Sequence, residues 1–327
     1  MFDRKVSQRF RLAGVGLLVA MAAVATGMRA EASANPIASL SAELTAAATQ
    51  STIPSNVDPP LATWTQAGLQ ASFSYPSHCF ADRSVTSVPV NSCWFGNRSA
   101  RRTIVLLGDS QAYQWLPDFD VWGKAANWKV LVLDKASCRP WPSSRYLWSD
   151  HASTFPQCAS FNAWADATIN KLKPTAVVVS GMIGNLGYST LESSSDIVRG
   201  MQQLKHALSP SRSRFIVLQN IPWFWGVPSS PSCLLLHPSH VDLCAQHRDI
   251  EVNQFNVNEA DMASAITQLT SLKIAAVVDV QDLVCAPTSC PMLSRSRLIY
   301  QDDAHITRQW ALHVEPAFAE LMATTLG

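Results

Sequence analysis

Charged side chains are scarce in this 327-residue chain: Asp, Glu, Lys and Arg make up 15% of it, and the formal net charge is +1. With 47% hydrophobic residues, that composition excludes a disordered regulator and supports a sizeable core. A basic stripe is also missing, which removes nucleic acid from the candidate partners. No Gly-rich loop follows a strand-like run, so nothing is built to cradle a nucleotide phosphate. Internal repeats at solenoid spacing are absent.

The N-terminus carries a targeting pattern. Arg4, Lys5, Arg9 and Arg11 precede an apolar run over residues 12–28, and Ala32-Ser33-Ala34 offers a small-residue cleavage site. The run is marginal in length for a membrane span. Residues 1–34 are therefore expected to be a cleaved signal peptide, with an uncleaved anchor as the other reading. Either one exports the remainder, whose 20 basic and 22 acidic residues give a net charge of −2. Residues 35–75, rich in Ala, Ser, Thr and Pro, read as a linker and lead-in, and 76–327 as the main domain.

Eight cysteines behind an export signal point to disulfides in an oxidising compartment. They fall into four local couples, so sequential pairing is expected: Cys79–Cys93, Cys138–Cys158, Cys233–Cys244 and Cys285–Cys290. Short loops of this kind contribute ~2–3 kcal/mol each, less any strain. Cys233, His237, His240, Cys244 and His247 would suit zinc if the cysteines were thiolates. Oxidation removes that option, and a disulfide-closed loop with incidental histidines is the preferred reading, with no metal and no cofactor.

From about residue 100, short apolar runs alternate with helical stretches. Strands are expected over 103–107, 130–133, 176–179, 215–218 and 274–278. Helices are expected over 111–126, 159–172, 191–208, 253–272 and 307–325, the last interrupted by Pro316. Continuous apolar runs separated by helices read as a parallel sheet covered on both faces, with ligands at the C-terminal ends of its strands.

Gly108-Asp109-Ser110 stands at that end of the first long strand, where a helix begins. Gly108 permits a tight turn, and the helix start offers free N–H groups to an oxyanion. The bland alternative is a helix cap. A serine nucleophile needs a base, and Asp302-Asp303-Ala304-His305 supplies one just before the last helix. Asp302, three residues ahead of His305, can hold one imidazole nitrogen and leave the other for Ser110. Here the alternative is an acidic helix start with an exposed histidine. Ile221-Pro222-Trp223-Phe224-Trp225 follows the fourth strand, where Trp223 and Trp225 could line a substrate pocket or simply pack in the core.

Together the two blocks resemble the SGNH (GDSL-type) hydrolase superfamily, in its nucleophile run Ile104–Ser110 and its terminal Asp-x-x-His at 302–305. More narrowly, the chain is similar to the SGNH domain at the C-terminus of membrane O-acyltransferases that modify bacterial envelope glycans. The matching features are Cys93-Trp94-Phe95-Gly96, the run Gly108–Trp115, Ala136-Ser137-Cys138-Arg139-Pro140, the pair Cys285 and Cys290, and Ile299–Thr307. Relatives usually carry His where this chain has Gln111. No fused multi-pass acyltransferase domain is expected within these 327 residues.

The resemblance implies a three-layer α/β/α sandwich with a five-stranded, mainly parallel, flavodoxin-like sheet. It implies a Ser110–His305–Asp302 triad acting through an acyl-enzyme, most simply on O-acetyl esters of an envelope glycan. It also implies oxyanion donors after the second and third strands. Ser137 stands where relatives have Gly, and Asn185 follows the third strand, though the usual Gly-x-Asn-Asp spacing is not kept. The acyl donor would come from a separate membrane acyltransferase. A non-catalytic glycan-binding domain on the same fold, and a zinc deacetylase using the 233–247 cluster, are the competing readings.

Overall fold

In a computed structural model, the structure describes residues 35–65, 68–69, 75–142, 155–182, 193–222, 224, 230–248 and 257–326. Residues 35–327 form one compact unit. The expected signal segment over 1–34, with its apolar run, lies outside the described residues.

Five parallel strands make the body of the central sheet: β3 (Arg102–Gly108), β4 (Trp128–Lys135), β5 (Ala176–Ser180), β6 (Arg214–Leu218) and β7 (Ala276–Val278). Their order is β4-β3-β5-β6-β7. These are the five strands expected from the sequence, and they form where β-branched and Leu side chains run unbroken. Ile104–Leu107, Val130–Leu133 and Val177–Val179 are almost completely buried, as strands covered on both faces must be.

The edge beyond β4 was not legible in the sequence. β1 (Phe80–Ala81) pairs parallel to the end of β4, Phe80 opposite Asp134, and β2 (Trp94–Gly96) pairs antiparallel to its middle, Trp94 opposite Leu131. The Cys79–Cys93 disulfide joins the residues just ahead of these two strands and so staples them to one edge. The other three pairs are Cys138–Cys158, Cys233–Cys244 and Cys285–Cys290, and no cysteine is free.

The chain steps from β3 to β4 on one side, then returns across β3 to β5. Right-handed crossovers place the helix after β3 on one face and the later ones on the other. Accordingly α3 (Leu116–Ala125) packs with α8 (Arg308–Leu326), whereas α5 (Ser194–Ala207) packs with α7 (Val257–Ser271), the short α6 (Ser230–Leu236) lying between these two in the chain. The α4 helix (Pro156–Leu172) ends at Lys173 in the left-handed conformation. Ser193 and Asp196 close a reciprocal capping box at the start of α5.

Two expectations need correction. The helix expected over 111–126 is two helices, a single turn α2 (Ser110–Tyr113) followed by α3. Pro117 lies in the first turn of α3 and has no N–H to continue the ladder from α2. Residues 35–65 are not a free linker. Asn35 caps α1 (Pro36–Ala47) by accepting from the Ala38 N–H, and Leu40, Leu44 and Ala47 are buried, the two leucines in the main core. Those three recur at helical spacing on one face. Further on, the Asp58 N–H donates to Ser296 O and Asp58 O accepts from the Leu298 N–H, pairing this lead-in with the C-terminal part of the chain.

Candidate active site

The strand order places a reversal at β3, where the chain turns first toward β4 and then back toward β5. Crevices that take ligands open at such a point, beyond the strand ends. Gly108 ends β3 opposite Asp134 of β4 and Ser180 of β5. A Cβ at Gly108 would run into the Ser180 carbonyl oxygen and the Ala112 side chain, so only glycine lets α2 start this close to the sheet.

Asp109 does more than cap. Its Oδ1 accepts from the Gln111 N–H at 2.9 Å and its Oδ2 from the Met182 N–H at 2.8 Å. One buried carboxylate thereby ties the start of α2 to the residues leaving β5. Burial pushes the Asp109 carboxyl upward, against the two N–H donors that favour its charge. Ser110 follows, half-buried, as the first residue of α2. Because α2 is a single turn, it offers the N–H groups of its first residues and little macrodipole.

The second block lies across from it. Gln301 N–H donates to His305 O at 2.9 Å, and Tyr300 bridges Ile306, which folds residues 300–306 into a tight loop. Inside it, Asp302 Oδ1 accepts from the N–H groups of Ala304 and His305, each at 2.8 Å. The carboxylate also meets His305 Nδ1, at 3.0 Å from Oδ1 and 2.9 Å from Oδ2. Burial works to raise the Asp302 carboxyl, but the imidazole and the N–H donors outweigh it and hold the group below its usual range. Burial works to lower His305, and is outweighed by Asp302, with Asp109 and Asp303 adding to it, so His305 lies above its ordinary value. Nδ1 therefore carries a proton toward Asp302. Nε2 is buried and has no hydrogen-bond partner among the described residues.

Ser110, Asp302 and His305 line a single cavity of about 840 Å³. Ser110 Oγ makes no hydrogen bond to His305 Nε2, so the three groups are gathered but the serine–imidazole bond is not closed. Part of the lining is aromatic. Phe80 and Tyr113 stack with ring centroids 4.6 Å apart, and Tyr75 lies beside them. Burial pushes the Tyr75 hydroxyl up to about 12, so it stays protonated. Asp82 and Val85 also line the cavity, and their segment is held by Lys135. Its ammonium donates to the carbonyls of Asp82, Arg83 and Val85 at 2.5, 2.9 and 2.6 Å.

Ser137 follows β4 with φ +55°, the left-handed conformation that favours glycine. Its hydroxyl accepts from Arg83 at 3.3 Å, and its neighbour Ala136 lines the cavity. Asn185, Trp223 and Trp225 lie outside the described residues. Sequence reasoning did not find the aromatic wall, Lys135 or the bridging role of Asp109. Tyr113 and Asp109 stand within the run quoted for the resemblance, but nothing local marks their partners. The 233–247 cluster has its two cysteines in a disulfide, which leaves no thiolate for zinc. The metal-like grouping among the described residues, His78 with Cys79 and Cys93, is closed to thiolate ligation by a disulfide in the same way.

The family model described as "SGNH domain (fused to AT3 domains)" matches residues 78–320. The chain belongs to this SGNH family. Among solved structures, this SGNH domain is similar to the periplasmic domain of a lipopolysaccharide acetyltransferase from Salmonella ser. Paratyphi A, at 11% identity and a TM-score of 0.54 over 75% of this chain and 93% of that one. A GDSL-like lipase from Bacteroides thetaiotaomicron aligns at 10% identity and a TM-score of 0.41, over 69% and 87%. A lipase/acylhydrolase from Enterococcus faecalis aligns at 10% identity and a TM-score of 0.37, over 68% and 96%. No curated protein matches the sequence. Among the described residues of this SGNH domain, no helix is long and apolar enough to cross a membrane.

Proposed function

We propose that this SGNH domain is an exported serine esterase or O-acyltransferase acting on O-acyl groups of an envelope glycan, acetyl first among them. The observation that carries the reading is His305. Its Nδ1 is fixed by Asp302, while its unpartnered Nε2 shares a cavity with Ser110. A buried imidazole nitrogen with no partner is costly unless a substrate-bound state uses it.

In this mechanism Ser110 Oγ gives its proton to His305 Nε2. Oγ attacks the ester carbonyl, and the leaving alcohol receives that proton as the acyl-enzyme forms. Water or a sugar hydroxyl then gives its proton to Nε2 and attacks the acyl carbon, and Ser110 is restored. Oxyanion charge falls to the Ser110 N–H, to Ser137 after β4 and to Asn185 after β5. Trp223, Trp225 and the Phe80–Tyr113 wall are assigned to the bound sugar or acyl group. Export is supported by the N-terminal pattern and four disulfides. A family defined by fusion to AT3 domains supports a separate membrane acyltransferase as acyl donor.

The test is Ser110→Ala. The variant should keep the wild-type melting temperature and lose both p-nitrophenyl acetate turnover and fluorophosphonate labelling. Full turnover in the variant rejects the assignment. Wild-type protein whose serine stays unlabelled would favour a glycan-binding domain instead. Mass spectrometry after incubation with an acetyl ester and glycan fragments separates the two activities, since acetylated glycan marks a transferase and free acetate alone an esterase.

A further inference from the structure

Two buried glutamines join the nucleophile turn to the histidine loop. Gln111 Nε2 donates to Ala304 O at 2.9 Å. Gln114 Nε2 donates to Gln111 Oε1 at 3.0 Å, and Gln114 Oε1 accepts from the Ile306 N–H at 2.9 Å. The amide orientations are fixed by the ends of this chain, because a carbonyl only accepts and a peptide N–H only donates. Both side chains are buried, at 4% and 2% exposure, where an unmade bond is expensive.

The two backbone groups they hold belong to residues 304 and 306, on either side of His305. The segments so connected lie 192 and 193 residues apart in sequence. One end of the connection is the residue immediately after Ser110. We infer that Gln111 and Gln114 are positioning residues that set the His305 imidazole at working height over Ser110. The inference rests on the proposed serine chemistry, and it assigns these side chains no contact with substrate. Misplacing a reacting group by about 1 Å can cost on the order of 100-fold in rate, so a relay of this kind acts on kcat.

Chemistry also dictates which replacements can work. Position 111 needs one donor and one acceptor. A neutral imidazole supplies both, whereas Leu supplies neither and Glu lacks the donor. Gln114→Glu keeps the acceptor for Ile306 but cannot donate to Gln111.

The experiment measures p-nitrophenyl acetate kinetics for Gln111→Leu, Gln111→His and Gln114→Glu in the full chain. Each is paired with a melting curve and with the His305 imidazole titration followed by NMR. For Gln111→Leu and Gln114→Glu, kcat should fall by 10- to 100-fold with KM within about twofold, in folded protein. Gln111→His should recover most of that loss. The NMR titration should differ from wild type in the two impaired variants and return in Gln111→His. Unchanged kcat in Gln111→Leu, or a Gln111→His protein no better than Gln111→Leu, would overturn the inference. A variant that fails to fold is replaced by Gln111→Met, which keeps the side-chain length and is held to the same criterion. If wild type itself neither turns over ester nor labels at Ser110, the serine chemistry fails. The NMR comparison then still decides whether the glutamines place His305.

Discussion

Protonating Glu43 should loosen the attachment of α1 to the rest of the domain. Glu43 Oε1 lies 3.0 Å from His313 Nε2 on α8 and 2.8 Å from Ser294 Oγ. The His313 hydrogen bond is the main cause that holds the carboxyl down, from its ordinary 4.5 to about 2, against the opposing effect of burial. A folded-state value below the unfolded one means the contribution is complete above pH 4.5 and is lost as pH falls through about 2. The full linkage would be roughly 3.4 kcal/mol. The His313 side chain is 23% exposed, and solvent screening brings the expected effect to ~1.5 kcal/mol. At pH 2.5 about a quarter of that should remain. The assay is urea unfolding of wild type and Glu43→Gln at pH 7 and pH 2.5. Subtracting the variant at each pH removes the titration of distant carboxylates, which contribute alike to both proteins. The difference should be ~1.5 kcal/mol at neutral pH and fall to a few tenths in acid. An equal difference at both pH values would refute the linkage.

Two other substitutions test the site. Asp302→Asn removes the carboxylate that raises His305. The acid limb of the kcat/KM profile, set in wild type above the ordinary histidine value, should move to lower pH, with kcat down by ~10³–10⁴. An unmoved limb would separate Asp302 from the base. Gly108→Ala places a methyl group against the Ser180 carbonyl oxygen and should cost ~1–3 kcal/mol by chemical unfolding, since a paired strand yields little. Wild-type stability would show that α2 can pull away from β5.

The five core strands could be read because each is an apolar run, mostly Val, Ile and Leu, with no polar interruption. The two edge strands could not, since two or three residues carry no period, and they are defined by the Cys79–Cys93 staple and by β4. The Ala- and Ser-rich composition of residues 36–47 concealed α1, whose burial depends on α8 and not on its own polarity. Within the site, Ser110 was visible because Gly-Asp-Ser ends a strand, and Asp302 with His305 because their spacing is local. Gln111, Gln114 and Lys135 could not be given roles, because each finds its partners through the fold, at separations no short motif spans.

The docking of α1 also constrains how the molecule assembles. Glu43 meets partners 251 and 270 positions later, so the earliest helix of the described chain closes only upon residues near the other end of the sequence. Contacts this far apart form only after a large entropic loss, which makes their formation slow. A chain threaded through a membrane from its N-terminus would keep Leu40 and Leu44 uncovered for most of the passage, a vulnerable interval for proteolysis or self-association.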